Sequence, residues 1–203
     1  RMGRRRLDSI AAVSRGGAGT VLDVGCAYGP FLAAARDRGL EAYGLDVSAE
    51  AVRYVEQQLS VRAVAGGILE VDPREEFGGA RVDVVTLWYV IEHFADLDRV
   101  LRKVAALVKP GGTLALSTPY AGGVSARRSP DDFYAMSPRD HYTIWDRRSA
   151  RRVLREHGLS VRRFVITGHH PERYPAVRSG LVPSRLAGFH SRIVGWGDTF
   201  EIY

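Results

Sequence analysis

The 203-residue sequence predicts an α/β fold built on a parallel sheet. Three observations carry that reading. Apolar runs rich in β-branched residues alternate with helical patterns through the first 117 residues. The runs are nearly continuous in apolar character, as strands buried on both faces are. The chain is long enough for one sizeable core, and its 45% hydrophobic and 26% charged content is ordinary for a globular domain. One domain over residues 1–203 is expected.

Strands are expected at "TVLDV" (20–24), "EAYGLD" (41–46), "VRAVA" (61–65), "RVDVVTLW" (81–88) and "TLALST" (113–118). The first helix starts at Pro30, suited to a first helical turn, and ends at Gly39. The second runs over "SAEAVRYVEQQL", with Ser48 as N-cap and Glu50 in the first turn, where the helix dipole favours an acid. The third places Leu97, Val100, Leu101, Val104 and Leu107 on one face and stops at the run Lys109-Pro110-Gly111-Gly112. Residues 119–143 show no regular period and are rich in Gly, Pro, Ser and Arg. So long an excursion reads as a lid or acceptor-recognition segment. Beyond it a helix is expected at 146–158, a strand at 160–168, a helix broken at Gly180, Pro183 and Gly188 over 176–195, and a final strand in "GDTFEIY".

The net charge of +6 rests on 29 basic residues, of which only Lys103 and Lys109 are lysines. Such an arginine skew fits a GC-rich codon bias, and the Arg-Arg pairs are spread through the second half instead of alternating with aromatics. A nucleic acid is therefore not the expected partner. The single cysteine, Cys26, fits a reducing cytoplasm and leaves no disulfide framework. The apolar run "VVTLWYVI" is too short to span a bilayer, and the basic N-terminal stretch lacks the apolar segment of a signal peptide.

The chemistry concentrates in "VLDVGCAYGPF" (21–31). Glycines between a strand and a helix let backbone approach a ligand, and a helix N-terminus favours an anion. Gly25 and Gly29 enclose Cys26, Ala27 and Tyr28, a G-x-x-x-G spacing that differs from the G-x-G-x-x-G of dinucleotide enzymes. The second strand ends in Asp46, placed to accept hydrogen bonds from both hydroxyls of a ribose. Loop and acid together point to an adenosine-type cofactor without a pyrophosphate. The competing reading is an ordinary tight turn with Asp46 serving the next helix.

The segments "VLDVGCAYGPFL", "GLDVS", "DVVTLWYVIEHF" and "LVKPGGTLALSTP" resemble the class I S-adenosylmethionine-dependent methyltransferases, in particular the subgroup of ubiquinone-biosynthesis O-methyltransferases and small-molecule tailoring enzymes. The resemblance implies a Rossmann-like, doubly wound seven-stranded sheet, mostly parallel, with the last strand antiparallel. It implies S-adenosyl-L-methionine as cofactor, released as S-adenosyl-L-homocysteine. By position, Asp23 and the backbone of Gly25, Cys26, Ala27, Tyr28 and Gly29 hold its methionine part. Asp46 binds the ribose diol, Val47 and Ile68 lie by the adenine, and Trp88 and Tyr89 flank the methionyl chain. The family's frequent acid after the third strand is Gly67 here, and its usual middle glycine is Ala27. A small-molecule acceptor is the expected partner, methylated at oxygen. An RNA- or protein-modifying enzyme and a catalytically silent binding module stay open as alternatives.

An acceptor hydroxyl must lose a proton, and histidine suits that role near neutral pH. His93, just past the fourth strand, and His141, at the end of the excursion, are the candidates, with packing under the cofactor as the competing role of His93. No metal is expected. His169 and His170 have no further ligands at metal spacing, and Trp88 and Thr118 stand where catechol-type relatives carry magnesium-binding acids.

Overall fold

The computed structural model describes residues 2–203. Helix α1 (Met2–Val13) precedes strand β1 (Thr20–Val24), followed by α2 (Pro30–Arg36), β2 (Glu41–Asp46), α3 (Ala49–Leu59), β3 (Arg62–Ala65), the short α4 (Pro73–Glu76) and β4 (Val82–Trp88). A single turn at Ile91–His93 leads to α5 (Leu97–Leu107) and β5 (Val108–Pro119). Then come α6 (Val124–Arg128), α7 (Pro130–Ala135), α8 (Arg147–Glu156), β6 (Phe164–Thr167), α9 (Pro175–Arg178), α10 (Ser184–Val194) and β7 (Thr199–Ile202).

The strands form one seven-stranded sheet in the order β3-β2-β1-β4-β5-β7-β6. β7 runs antiparallel to both β5 and β6, and the pairs on the β3 side of β5 are parallel. Successive side chains of each strand point to opposite faces, and both faces are covered. Leu22, Val85, Leu87 and Leu116 pack with Val100, Leu101 and Val104 of α5 and Leu154 of α8. Val21, Val84 and Ala115 pack with Leu7 and Ile10 of α1 and Phe31 of α2. Double coverage is why the strands read as continuous apolar runs. Strand order reverses at β1, whose neighbours are β2 and β4, so a crevice opens at the carboxyl ends of β1 and β4. Among the described residues, no helix is long and apolar enough to cross a membrane.

Ser48 caps its helix as read, its Oγ accepting from the Ala51 N–H at 3.2 Å; α5 has a cap not read from the sequence, Asp96 Oδ1 accepting from the Arg99 N–H at 3.1 Å. The break at Gly180 and Pro183 separates α9 from α10, whereas Gly188, expected as a third break, lies within the continuous helix α10. The excursion is less irregular than its composition suggests. It carries α6 and α7, of 5 and 6 residues, too short for a hydrophobic period to show. Helix α1 was not anticipated, and the strand expected over 160–168 pairs only at Phe164–Thr167. The ladder of β4 with β5 is irregular across 109–112 and regular from Thr113, which is where the sequence places the strand.

Gly29 has φ +71°, and a Cβ added there would lie 2.6 Å from Leu59 Cδ1 and 3.0 Å from Val55 Cγ2. Gly29→Ala is therefore expected to destabilise the fold by about 2 kcal/mol, from left-handed backbone strain and crowding, read as a lower urea midpoint at unchanged slope.

Candidate functional site

The loop from β1 to α2 holds three left-handed residues within five positions, Gly25 (φ +72°), Ala27 (φ +46°) and Gly29 (φ +71°). Ala27 is the costly one, because its Cβ crowds the backbone there. What holds it is Asp46. The Ala27 N–H donates to Asp46 Oδ2 at 2.7 Å, and the Ser48 N–H donates to Asp46 Oδ1 at 2.8 Å. The glycine bend and the acid at the end of β2 thus face each other across the crevice. The Gly25 and Cys26 N–H groups donate to the Leu45 carbonyl at 2.7 and 3.2 Å, tying the loop to β2. The Cys26 side chain is buried with Leu32, Val55 and Val61, so only its backbone borders the crevice. Burial pushes its thiol up to about 12, leaving it a protonated packing group. Tyr28 is exposed and its hydroxyl donates to Glu50 Oε1 at 3.1 Å.

Asp23, next to this loop, is buried, and its Oδ1 accepts from Thr86 Oγ1 at 2.5 Å. Burial raises its carboxyl to about 7, against the opposing effects of that hydrogen bond and the Arg6 charge. Arg6 is the main site residue that sequence reasoning missed, since nothing in a basic N-terminal run says which arginine turns inward. Its guanidinium is buried 3.9 Å from the centre of the Trp88 ring, donates to Glu201 Oε1 at 2.9 Å and reaches Ser117 Oγ at 3.4 Å. Trp88 itself packs against Phe31 and Tyr203 beneath Arg6. Tyr89, at the end of β4, has φ +60° and is partly exposed. A bulky residue in that conformation is strained, and such strain gathers at functional sites.

On the adenine side, Val47 is 80% exposed at the crevice rim, whereas the Ile68 side chain is buried in the main core. Packing of Ile68 on an adenine ring is therefore corrected: only its backbone is left to approach a ligand. Three residues beyond Gly67, Glu70 turns back to the same place, its Oε2 accepting from the Gly67 N–H at 3.2 Å.

The single turn after β4 brings the two candidate histidines together. The rings of His93 and His141 lie 4.8 Å apart, edge to face, and His93 Nδ1 is 3.1 Å from Asp140 Oδ2. The Tyr142 N–H donates to the Glu92 carbonyl at 2.8 Å, anchoring the end of the excursion on this turn. Glu92 is buried and its carboxyl is held above the usual range by burial. His141 titrates below the usual histidine range, chiefly through burial and then through the neighbouring His93, so its imidazole is neutral near pH 7. His141 also borders an open cleft of roughly 650 Å³, lined among others by Ser125, Arg128, Phe133, Arg173 and Asp198. His169 and His170 lie elsewhere, with Nδ1 atoms 2.8 Å from Ser191 Oγ and 2.9 Å from Glu172 Oε1.

A family profile described as a methyltransferase domain matches residues 3–163. Among curated proteins, the ubiquinone biosynthesis O-methyltransferase of Serratia proteamaculans (strain 568) is 35% identical over 101 residues, covering 49% of this chain and 42% of that protein. The chain thus spans less than half the length of this relative, and the same holds for the Leptothrix cholodnii protein of the same name, 33% identical with 43% covered. Among solved structures, the complex between the Haloferax volcanii Trm112 methyltransferase activator and a methyltransferase superposes with a TM-score of 0.69 at 24% identity, over 99% of this chain and 90% of that one. S-adenosylmethionine-bound CalS10, an amino pentose methyltransferase from Micromonospora echinaspora, gives a TM-score of 0.50 at 27% identity, over 57% of this chain and 48% of that one.

Proposed function

The chain belongs to the class I S-adenosylmethionine-dependent methyltransferases, and from that premise we propose that it transfers a methyl group to an oxygen of a small-molecule acceptor of quinone-like or secondary-metabolite type. The observation that carries the reading is the Asp46 carboxylate facing the Gly25–Gly29 bend through the Ala27 N–H. The residues at the crevice fit the cofactor's parts in order. Asp23 and Arg6 offer opposite charges to the ammonium and carboxylate of a methionine, Asp46 offers acceptors to a ribose diol, and Glu70 offers one to an adenine amino group. Bound there, S-adenosylmethionine supplies a methyl on positively charged sulfur, an electrophile that needs chiefly in-line placement of its acceptor.

The protein's remaining tasks are to seat that acceptor and ionise it. The cleft beside His141 has the size of a small-molecule site, with Phe133 as an apolar wall and Arg128 as a cation. A neutral His141 accepts the hydroxyl proton as the new bond forms. The relatives' name, ubiquinone biosynthesis O-methyltransferase, agrees with an oxygen acceptor. In the groove beside β6, Arg5 is paired with Glu201 at 2.6 Å and Arg147 lies 5.7 Å from the Phe164 ring.

The test is a mass-spectrometric screen of phenolic, quinol and sugar hydroxyl acceptors with S-adenosylmethionine, seeking a product 14 Da heavier (~14 Da, one methyl replacing hydrogen) and stoichiometric S-adenosylhomocysteine. With the acceptor found, His141→Ala should slow turnover at least tenfold (roughly the lower range for a lost proton acceptor) and leave the cofactor dissociation constant unchanged. An unaltered rate removes His141 from the site.

A further inference from the structure

We propose that the free edge of β6 and the adjoining end of α10 form a docking site for an acidic, extended segment of a partner protein, which joins the sheet as a further strand. β6 is the last strand of the sheet and pairs on one side only, with β7. Arg163 and Tyr203 exchange both backbone N–H···O bonds at 3.0 Å. In an antiparallel ladder Val165 and Thr167 then also bond toward β7, opposite Glu201 and Thr199. Phe164 and Ile166 therefore turn their backbone groups outward. The His169 side chain engages the Ile166 carbonyl. Among the described residues no backbone group pairs with the Phe164 N–H, the Phe164 carbonyl or the Ile166 N–H. A row of open donors and acceptors of this kind is what strand addition uses.

The surroundings select the occupant. A groove of roughly 740 Å³ lies along this edge, with Phe164, Ile193 and Val194 as apolar wall and Arg147, Arg163 and Arg192 as cations. β6 and the end of α10 approach closely there: a Cβ added at Gly195 would lie 3.5 Å from both Arg147 Nη2 and Ile166 Cγ1. Arg151 adds a further cation, 4.7 Å from the Phe164 ring. Arg163 and Arg192 are exposed and have no acidic partner among the described residues. No acid occurs in the sequence from Arg173 to Gly197, while Phe189 and Ile193, one turn apart on α10, are 65% and 69% exposed.

An acidic segment answers each of these features. Its carboxylates meet the arginines, its apolar side chains at every second position cover Ile193 and Val194, and its backbone meets the three open groups of β6. A second copy of the chain fits poorly, because pairing β6 with β6 sets the arginines against their own counterparts. A bilayer fits poorly as well, since its apolar interior offers nothing to open strand backbone. None of the groove residues lines the acceptor cleft, so the inference stands apart from the methyl-transfer reading.

The experiment uses the whole chain and a fluorescein-labelled peptide alternating glutamate with valine. Fluorescence anisotropy should show saturable binding, with a dissociation constant below about 1 mM. The lysine–valine counterpart should bind roughly tenfold more weakly or worse, and so should the glutamate peptide N-methylated at every residue, which has lost its backbone donors. Hydrogen exchange at the Phe164 and Ile166 amides should slow roughly tenfold on binding, while Val165 and Thr167, already bonded to β7, stay as they were. Arg163→Ala combined with Arg192→Ala should weaken binding roughly tenfold, with circular dichroism and S-adenosylmethionine affinity retained. No saturable binding, equal binding of the lysine or the methylated peptide, or unchanged exchange at Phe164 and Ile166 would overturn the proposal. Binding to phosphatidylglycerol vesicles, or self-association of the chain, that the double variant abolishes would overturn it too, since either gives the edge another occupant.

Discussion

Asp46→Ala is expected to raise the dissociation constant for S-adenosylmethionine roughly a hundredfold, about 3 kcal/mol, the upper range for hydrogen bonds to a charged group. The carboxylate has two tasks that the substitution removes together. One oxygen accepts the Ala27 N–H and the other the Ser48 N–H, which holds the loop in its left-handed bend. Each oxygen keeps a further lone pair, and the pair of them is placed to receive both hydroxyls of a ribose. Asp46→Asn separates the tasks, because its carbonyl still accepts one backbone N–H while the charge is gone. It should fall between parent and Asp46→Ala, at roughly tenfold. Calorimetry reads both values. Parent-like affinity in Asp46→Ala would remove the ribose role and leave Asp46 as a loop clamp only.

The contrast between Asp46 and Glu92 shows what was legible in the chain. Asp46 lies at the end of a strand and 17 residues after Gly29, and the parallel pairing of β1 with β2 turns that short separation into contact. Asp23, Gly25, Gly29 and Asp46 are of this kind: they sit on consecutive βα units, so local pattern and topology say the same thing. Ile68 is the partial failure, since "AGGILEV" does not say which way an isoleucine turns, and it turns into the core. The acceptor side is built across the chain. Glu92, His93 and His141 meet only because the excursion returns to the turn after β4. On the cofactor side, Arg6 is the exception, arriving from a helix whose basic sequence masks its buried face with Leu7 and Ile10. Short helices such as α6 and α7 escape detection for a different reason, having fewer than two turns in which to show a period.

Asp23 yields a prediction with opposite signs in binding and in stability. Its carboxyl is raised to about 7 by burial, from an ordinary value of 3.8. The ammonium of a bound methionine prefers the ionised carboxylate, so affinity should be full above pH 7 and fall by about tenfold per pH unit below it, since each proton bound at Asp23 must first be lost. The stability of the unliganded fold runs the other way. A carboxyl whose folded value is raised contributes stability that is fully present below pH 3.8 and is lost as the pH climbs through 7, because the folded state then holds a buried charge whose desolvation outweighs the Thr86 hydrogen bond and the Arg6 charge. Asp23→Asn keeps the shape and can still accept from Thr86 Oγ1. It should bind S-adenosylmethionine roughly a hundredfold more weakly than the parent at pH 7.5, converge on the parent at about pH 5, and show a flat affinity profile between them. In the absence of cofactor the same variant should be the more stable protein at pH 7.5, with the advantage vanishing at low pH. Calorimetry and urea denaturation across that range read the two halves separately. A parent profile that is flat in affinity, or an Asn variant no more stable than the parent at pH 7.5, would show that Asp23 is not the buried, titrating partner of the methionine ammonium.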